Sequence, residues 1–251
     1  MLDSHNHIDI LKSGVRNWNK WREENTTVTP DLKGAILEGA NLRGADLAGA
    51  CLMDANLAGA SLCCANLTGA DLAGALLGET NLRGAFLARA NLRGANLAGS
   101  NLRLADLARA QLEKADFLRA DLWEAFLSGA DLRGANLVLV HLEKADLSEA
   151  DLRGATLRGA HLEGANLSGA NFALANLEGA DFDGAGINNV KSFYMAKLDP
   201  DILSEIKTNW PEKLATLLDG GLIDWVIDIA LLERVKQPEW NGWEEEEEQG
   251  K

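Results

Sequence analysis

Residues 40–59 read ANLRGADLAGACLMDANLAG, and this stretch decides the fold. Leu stands at 42, 47, 52 and 57, with Ala two residues before each. Outward from there the spacing never breaks. From Leu32 to Ile187 every fifth residue is Leu, Phe or Ile, which makes 32 consecutive units, 28 of them with Leu; the exceptions are Phe117, Phe172, Phe182 and Ile187. The residue two before is Ala in 28 units, the exceptions being Pro30, Thr80, Ser100 and Val140. Asp or Asn lies between them in 21 units, and Gly follows two after the Leu in 18. The unit is A-(D/N)-L-x-G.

A period of five excludes a simple amphipathic helix, because five residues at about 100° each move the apolar face by about 140° per unit. A flat strand is excluded too, since an odd spacing alternates faces. The chain must turn once per unit. Ala and Leu, two apart, point the same way, and the Asp or Asn between them points opposite. The last two residues make the corner, where Gly relieves torsions that a Cβ resists. A chain that repeats this turn winds into a solenoid lined by Ala and Leu. Matches at twenty residues (Ser128, Ser148 and Ser168; His141 and His161) hint at four units per coil.

These residues resemble the pentapeptide-repeat family over roughly residues 30–190. The resemblance implies an all-β solenoid, a right-handed quadrilateral β-helix of about 8 coils, with adjacent coils joined through their backbones at about 4.8 Å. Both flanks read as covers for its open ends. Ile8, Leu11, Val15 and Trp18 recur at helical spacing, which predicts one capping helix over residues 6–24 with Trp18 or Trp21 on the first coil. After Val190 the five-residue period is expected to end. Asp199-Pro200 starts a helix, Pro211 a second running to Leu217 or Leu218, and Leu222–Leu231 a third. The domains are therefore 1–29, an N-terminal capping helix and lead-in; 30–190, the β-helix; 191–238, a C-terminal α-helical cap; and 239–251, an acidic tail expected to be disordered.

Composition bounds the function. The chain has 251 residues and a formal charge of −14, which argues against general binding to nucleic acid or anionic lipid. No apolar run is long enough to span a membrane, and the first residues carry no secretory pattern. Three cysteines, Cys51, Cys63 and Cys64, do not form a disulfide framework; Cys63 and Cys64 take outward or corner positions. A cytoplasmic location is the expectation.

No catalytic motif, phosphate loop or dinucleotide fingerprint is present, so the expectation is a non-enzyme without cofactor. His141 and His161 stack one strand spacing apart in a column with Asp121 and Asp181. No third ligand is evident beyond these carboxylates, so the expectation is a solvated ladder and no metal site. The informative departures are apolar side chains at outward positions: Leu118, Trp123, Phe126, Val138 and Leu139, with Leu104 one coil earlier. Such patches mark contact sites, and these five residues are the candidate protein-binding surface.

The expected function is a structural and protein-interaction scaffold, a rigid rod presenting that surface to a protein partner, as a monomer or weak dimer in a bacterial cell. The resemblance supplies an alternative, since some relatives bind DNA gyrase as DNA mimics. Here residues 31–190 hold 20 acidic and 13 basic side chains, a net of −7, and the arginines interrupt any acidic stripe.

Overall fold

The computed structural model describes residues 4–209 and Lys213. Its organising element is a turn. Within each unit the N–H of the small residue donates to the carbonyl of the preceding Leu, as Ala35 does to Leu32 at 3.0 Å. Such an i to i+3 bond with a left-handed third residue has the character of a type II turn, which favours Gly there. From Gly34 to Gly184 every corner residue has φ between 53° and 73°, whether Gly or not. The glycines of the unit thus answer a torsional demand that thirteen other residues meet at a cost.

Four such turns make a coil. Parallel bridges join residues twenty apart without interruption, from Asp31 and Cys51 through His161 and Asp181. The bonds repeat from coil to coil: the Leu37 N–H donates to Asn56 O at 2.7 Å, and the Asn56 N–H to Ala35 O at 2.9 Å. The column of Asp121, His141, His161 and Asp181 expected from the spacing is present. Leu and Ala fill the axis and are almost wholly buried from Leu32 to Leu177. Two exceptions to the Ala rule keep their hydroxyls satisfied inside this core: Thr80 donates to Leu57 O at 2.9 Å and Ser100 to Leu97 O at 2.6 Å.

The outward Asp and Asn serve the corner. Their Oδ1 accepts the N–H two residues on, as Asp121 does from Trp123 and Asn91 from Arg93. This is the local side chain to backbone bond that suits Asx residues to turns. At several places where Asn lies on Asp in the neighbouring coil, Nδ2 also donates across coils, as Asn91 does to Asp71 at 2.8 Å.

The first coil has no coil before it, so its backbone groups need other partners. They come from the N-terminal segment, which forms α1 (Ser4–Lys12) and α2 (Val15–Glu24) rather than one helix, because Gly14 breaks it at φ 116°. Trp18 is fully buried and its indole donates to Asp46 O at 2.7 Å. Asn19 accepts the Asp46 N–H and donates to Gly44 O, both at 2.9 Å. Arg22 donates to Ala48 O at 2.8 Å, and His7 Nδ1 accepts the Asp31 N–H at 3.2 Å. Trp21 packs against Trp18 with its ring tilted by 36°, ring centres 5.2 Å apart, and is only half-buried.

The other end corrects the expectation that the period stops at Val190. A 3₁₀ turn, Ile187–Asn189, takes up one extra residue, and the coil resumes with its spacing changed from twenty to twenty-one. Asn171 bridges to Ser192, and Asn176 to Lys197. Phe193, Ala196 and Leu198 are buried in the same axis, and Phe193 stacks on Phe172 at 5.6 Å. Met195 keeps the left-handed corner at φ 50°. The exposed Phe193 N–H edge is met by the Lys213 carbonyl at 2.6 Å. Helix α3 (Pro200–Asn209) begins at the expected proline and buries Leu203 and Ile206. Apart from Lys213, the helix expected from Pro211 lies outside the described residues, as do the one over Leu222–Leu231 and the tail 239–251.

Candidate functional site

Outward positions carry whatever chemistry the rod offers, since the inward ones are filled with Ala and Leu. Among the expected binding residues, Phe126, Leu139 and Leu118 are exposed, at 51%, 39% and 37%. Val138 is half-buried. Trp123 is also half-buried, and its face is not bare. The Arg103 guanidinium carbon sits 4.4 Å from the ring centre and Lys144 Nζ 5.6 Å from it. This cation–π arrangement makes Trp123 an amphipathic element rather than a purely apolar one.

Sequence reasoning missed further outward apolar side chains. Ile36, Leu76 and Phe86 are exposed, and each occupies the middle position usually held by Asp or Asn. That substitution was the available signal. Phe86 and Phe126 share one column with Asp106 between them.

The surface charges are interleaved. Arg133 bonds Asp131 twice, Nε to Oδ1 at 2.8 Å and Nη2 to Oδ2 at 2.7 Å, and also approaches Glu113 and Asp151. Arg153 pairs with Asp151, and Arg93 with Glu113. The hydrogen bond from Arg133 is the main reason the Asp131 carboxyl sits below the usual carboxylate range.

The two histidines stand as a stacked pair, ring centres 4.7 Å apart and 4° from parallel. Each faces a carboxylate two residues further on. His141 Nδ1 lies 3.0 Å from Glu143 Oε1, and His161 Nδ1 lies 3.4 Å from Glu163 Oε1. Asp121, at the near end of their column, is instead engaged by Arg103 at 3.3 Å. The expectation that no third ligand accompanies the histidines therefore does not hold: Glu143, at the corner, brings a ligand atom within 4.8 Å of both.

Cys63 keeps a corner position, as expected, but its side chain is covered. It is buried beside Arg43, whose Nη1 lies 3.5 Å from its Sγ, and its Sγ is 3.6 Å from that of Cys64. Burial, then the Cys64 thiol, pushes the Cys63 thiol up. All three cysteines are free thiols. No helix among the described residues is long and apolar enough to cross a membrane.

Together these features define a repeat solenoid whose functional groups lie on its outer faces. The family model for pentapeptide repeats matches in 8 copies, in segments running from residue 31 to residue 186, and the chain belongs to the pentapeptide-repeat family, whose members fold as right-handed quadrilateral β-helices. Similar solved structures include HetL of the cyanobacterium Nostoc sp. Strain PCC 7120, a pentapeptide repeat protein involved in heterocyst differentiation regulation. It shares 32% identity over 71% of this chain and 95% of its own, with a TM-score of 0.35. A pentapeptide repeat protein from the cyanobacterium Cyanothece 51142 shares 34% over 40% of this chain and 62% of its own, at 0.17. QnrB1, a plasmid-mediated fluoroquinolone resistance protein, shares 21% over 71% of this chain and 87% of its own, at 0.29. No curated protein matches significantly.

Proposed function

We propose that this protein is a non-enzymatic scaffold, a rod of about eight coils closed by helical caps, which presents an outer apolar surface to a protein partner in the cytoplasm. The observation that carries the reading is the exposure of Leu118, Phe126 and Leu139 at outward positions, with Ile36, Leu76 and Phe86 exposed in the same way along the rod. Apolar side chains exposed on an otherwise polar surface mark a contact site, and a backbone bonded coil to coil fixes their positions, so that little backbone ordering is needed on binding. Trp123, held between Arg103 and Lys144, adds a rigid aromatic anchor of the kind that dominates interfaces.

The experiment is affinity capture from the native cell together with sedimentation. The double variant Trp123→Ala, Leu139→Ala is expected to lose a captured partner or to shift in association while keeping its fold by circular dichroism. Unchanged capture and sedimentation overturn the reading. The interleaving of Arg93, Arg133 and Arg153 with Glu113, Asp131 and Asp151 weighs against a DNA-mimicking modulator of gyrase. Such a mimic needs a run of uncompensated negative charge.

A further inference from the structure

We infer that His141, His161 and Glu143 form a binding site for a single divalent transition-metal ion of the zinc class, which staples two neighbouring coils.

Three observations carry this. The residue types are those of a borderline-soft site: two imidazoles and one carboxylate, a donor set that zinc-class ions accept in fours with water completing the shell. The positions come from the ladder itself. His141 and His161 are bridged residues on adjacent coils, so backbone bonds rather than flexible loops set their separation. The third is the carboxylates. One oxygen of Glu143, Oε2, is buried without a hydrogen-bond partner, and so is Oε2 of Glu163. Buried polar atoms in that condition are rare and mark an unfilled role.

The distances suit an ion. Ligand atoms about 2.0–2.1 Å from zinc lie about 3.3 Å apart around a tetrahedron. The pair of His141 Nδ1 and Glu143 Oε1 is already at 3.0 Å, and that of His161 Nδ1 and Glu163 Oε1 at 3.4 Å. An ion would take the place of the hydrogen bond between the His141 ring and the Glu143 carboxylate. The imidazoles, 4.7 Å apart and parallel, must tilt toward each other to converge. Their side chains are 48% and 40% exposed, which leaves room for that tilt. Water or Glu163 completes the fourth position.

The test is zinc titration of the full metal-free chain by calorimetry, with Co²⁺ absorption as a second probe and thermal unfolding as a third. The expected result is one equivalent bound in the micromolar range and a higher melting temperature with zinc. The Co²⁺ spectrum is expected to lack a thiolate charge-transfer band, which separates this site from Cys63 and Cys64. His141→Asn with His161→Asn is expected to abolish the binding. Glu143→Gln, nearly isosteric, is expected to weaken it at least about tenfold, because even groups that only support a ligand are worth about 10–100-fold. Absence of binding to the wild-type chain, or binding that persists in the histidine double variant, overturns the assignment.

Discussion

Asn136 donates from Nδ2 to Oδ1 of Asp116, one coil away, at 2.8 Å. The same link joins Asn166 to Asp146 and Asn66 to Asp46. The mixture of Asp and Asn at the middle position is therefore not indifferent. Both residues supply the oxygen that the corner needs, but only Asn can also donate to a neighbour. Asn136→Asp would set two carboxylates one strand spacing apart. The expected loss is about 1 kcal/mol, read as a lower melting temperature and partly restored by salt. A variant as stable as the parent in low salt would refute the link.

The corner torsion makes a second prediction. At Gly94, φ is 62° and a Cβ would meet nothing within 4 Å, so space is not the constraint. Gly94→Val is nevertheless expected to cost about 1–2 kcal/mol from the left-handed torsion alone. Arg89 already sits at φ 59°, and Arg89→Gly is expected to stabilise slightly. No loss of stability in Gly94→Val, or a loss in Arg89→Gly, in denaturant titration would show that the strain has been placed wrongly.

Acid should act through Asp131. The Arg133 hydrogen bond holds its carboxyl below the usual range. A depressed carboxylate contributes stability that is complete above its unfolded value, about 3.9. That contribution fades as the pH falls further, through the lowered folded value. Asp131→Asn is thus expected to narrow the gap in melting temperature between pH 7 and pH 3 relative to the parent. The pair is partly exposed, so the effect is small.

Trp18 tests the quasi-one-dimensional character of the rod. Trp18→Ala removes a fully buried ring and the donor to Asp46 O, a change that costs about 3–5 kcal/mol in a packed site. In a solenoid each coil leans on its neighbours alone. The loss should appear in hydrogen exchange as faster amides around residues 31–50, with those near 120–160 unchanged. Uniform loss of protection would mean that the rod unfolds as one unit.

Much of this was legible in the sequence because one spacing governs both packing and turning. The inward Leu and Ala and the column of His141 and His161 follow from counting by fives and twenties. What escaped shows where counting ends. Phe193 and Leu198 keep the spacing of five, and Ala196 keeps its place two before Leu198, but all stand one residue out of register, so a strict period stops short of them. Glu143 is not legible from the His column, because a side chain two residues on from His141 reaches back across the corner. The break between α1 and α2 rests on Gly14, which the apolar spacing of Ile8, Leu11, Val15 and Trp18 spans without a gap. Cys63 keeps its corner position, but its burial was not legible, because it depends on Arg43 lying over it.

The single residue wound in at Ile187–Asn189 has a consequence for how the chain finds its place. A ladder of identical bonds does not by itself distinguish one turn from the next, and a segment slipped by twenty residues would meet almost the same partners. The added residue sits out of phase with everything before it, so it fits at one turn alone. With Trp18 indexing the opposite end, the winding acquires an origin and a terminus, and the degeneracy of the repeat is lifted.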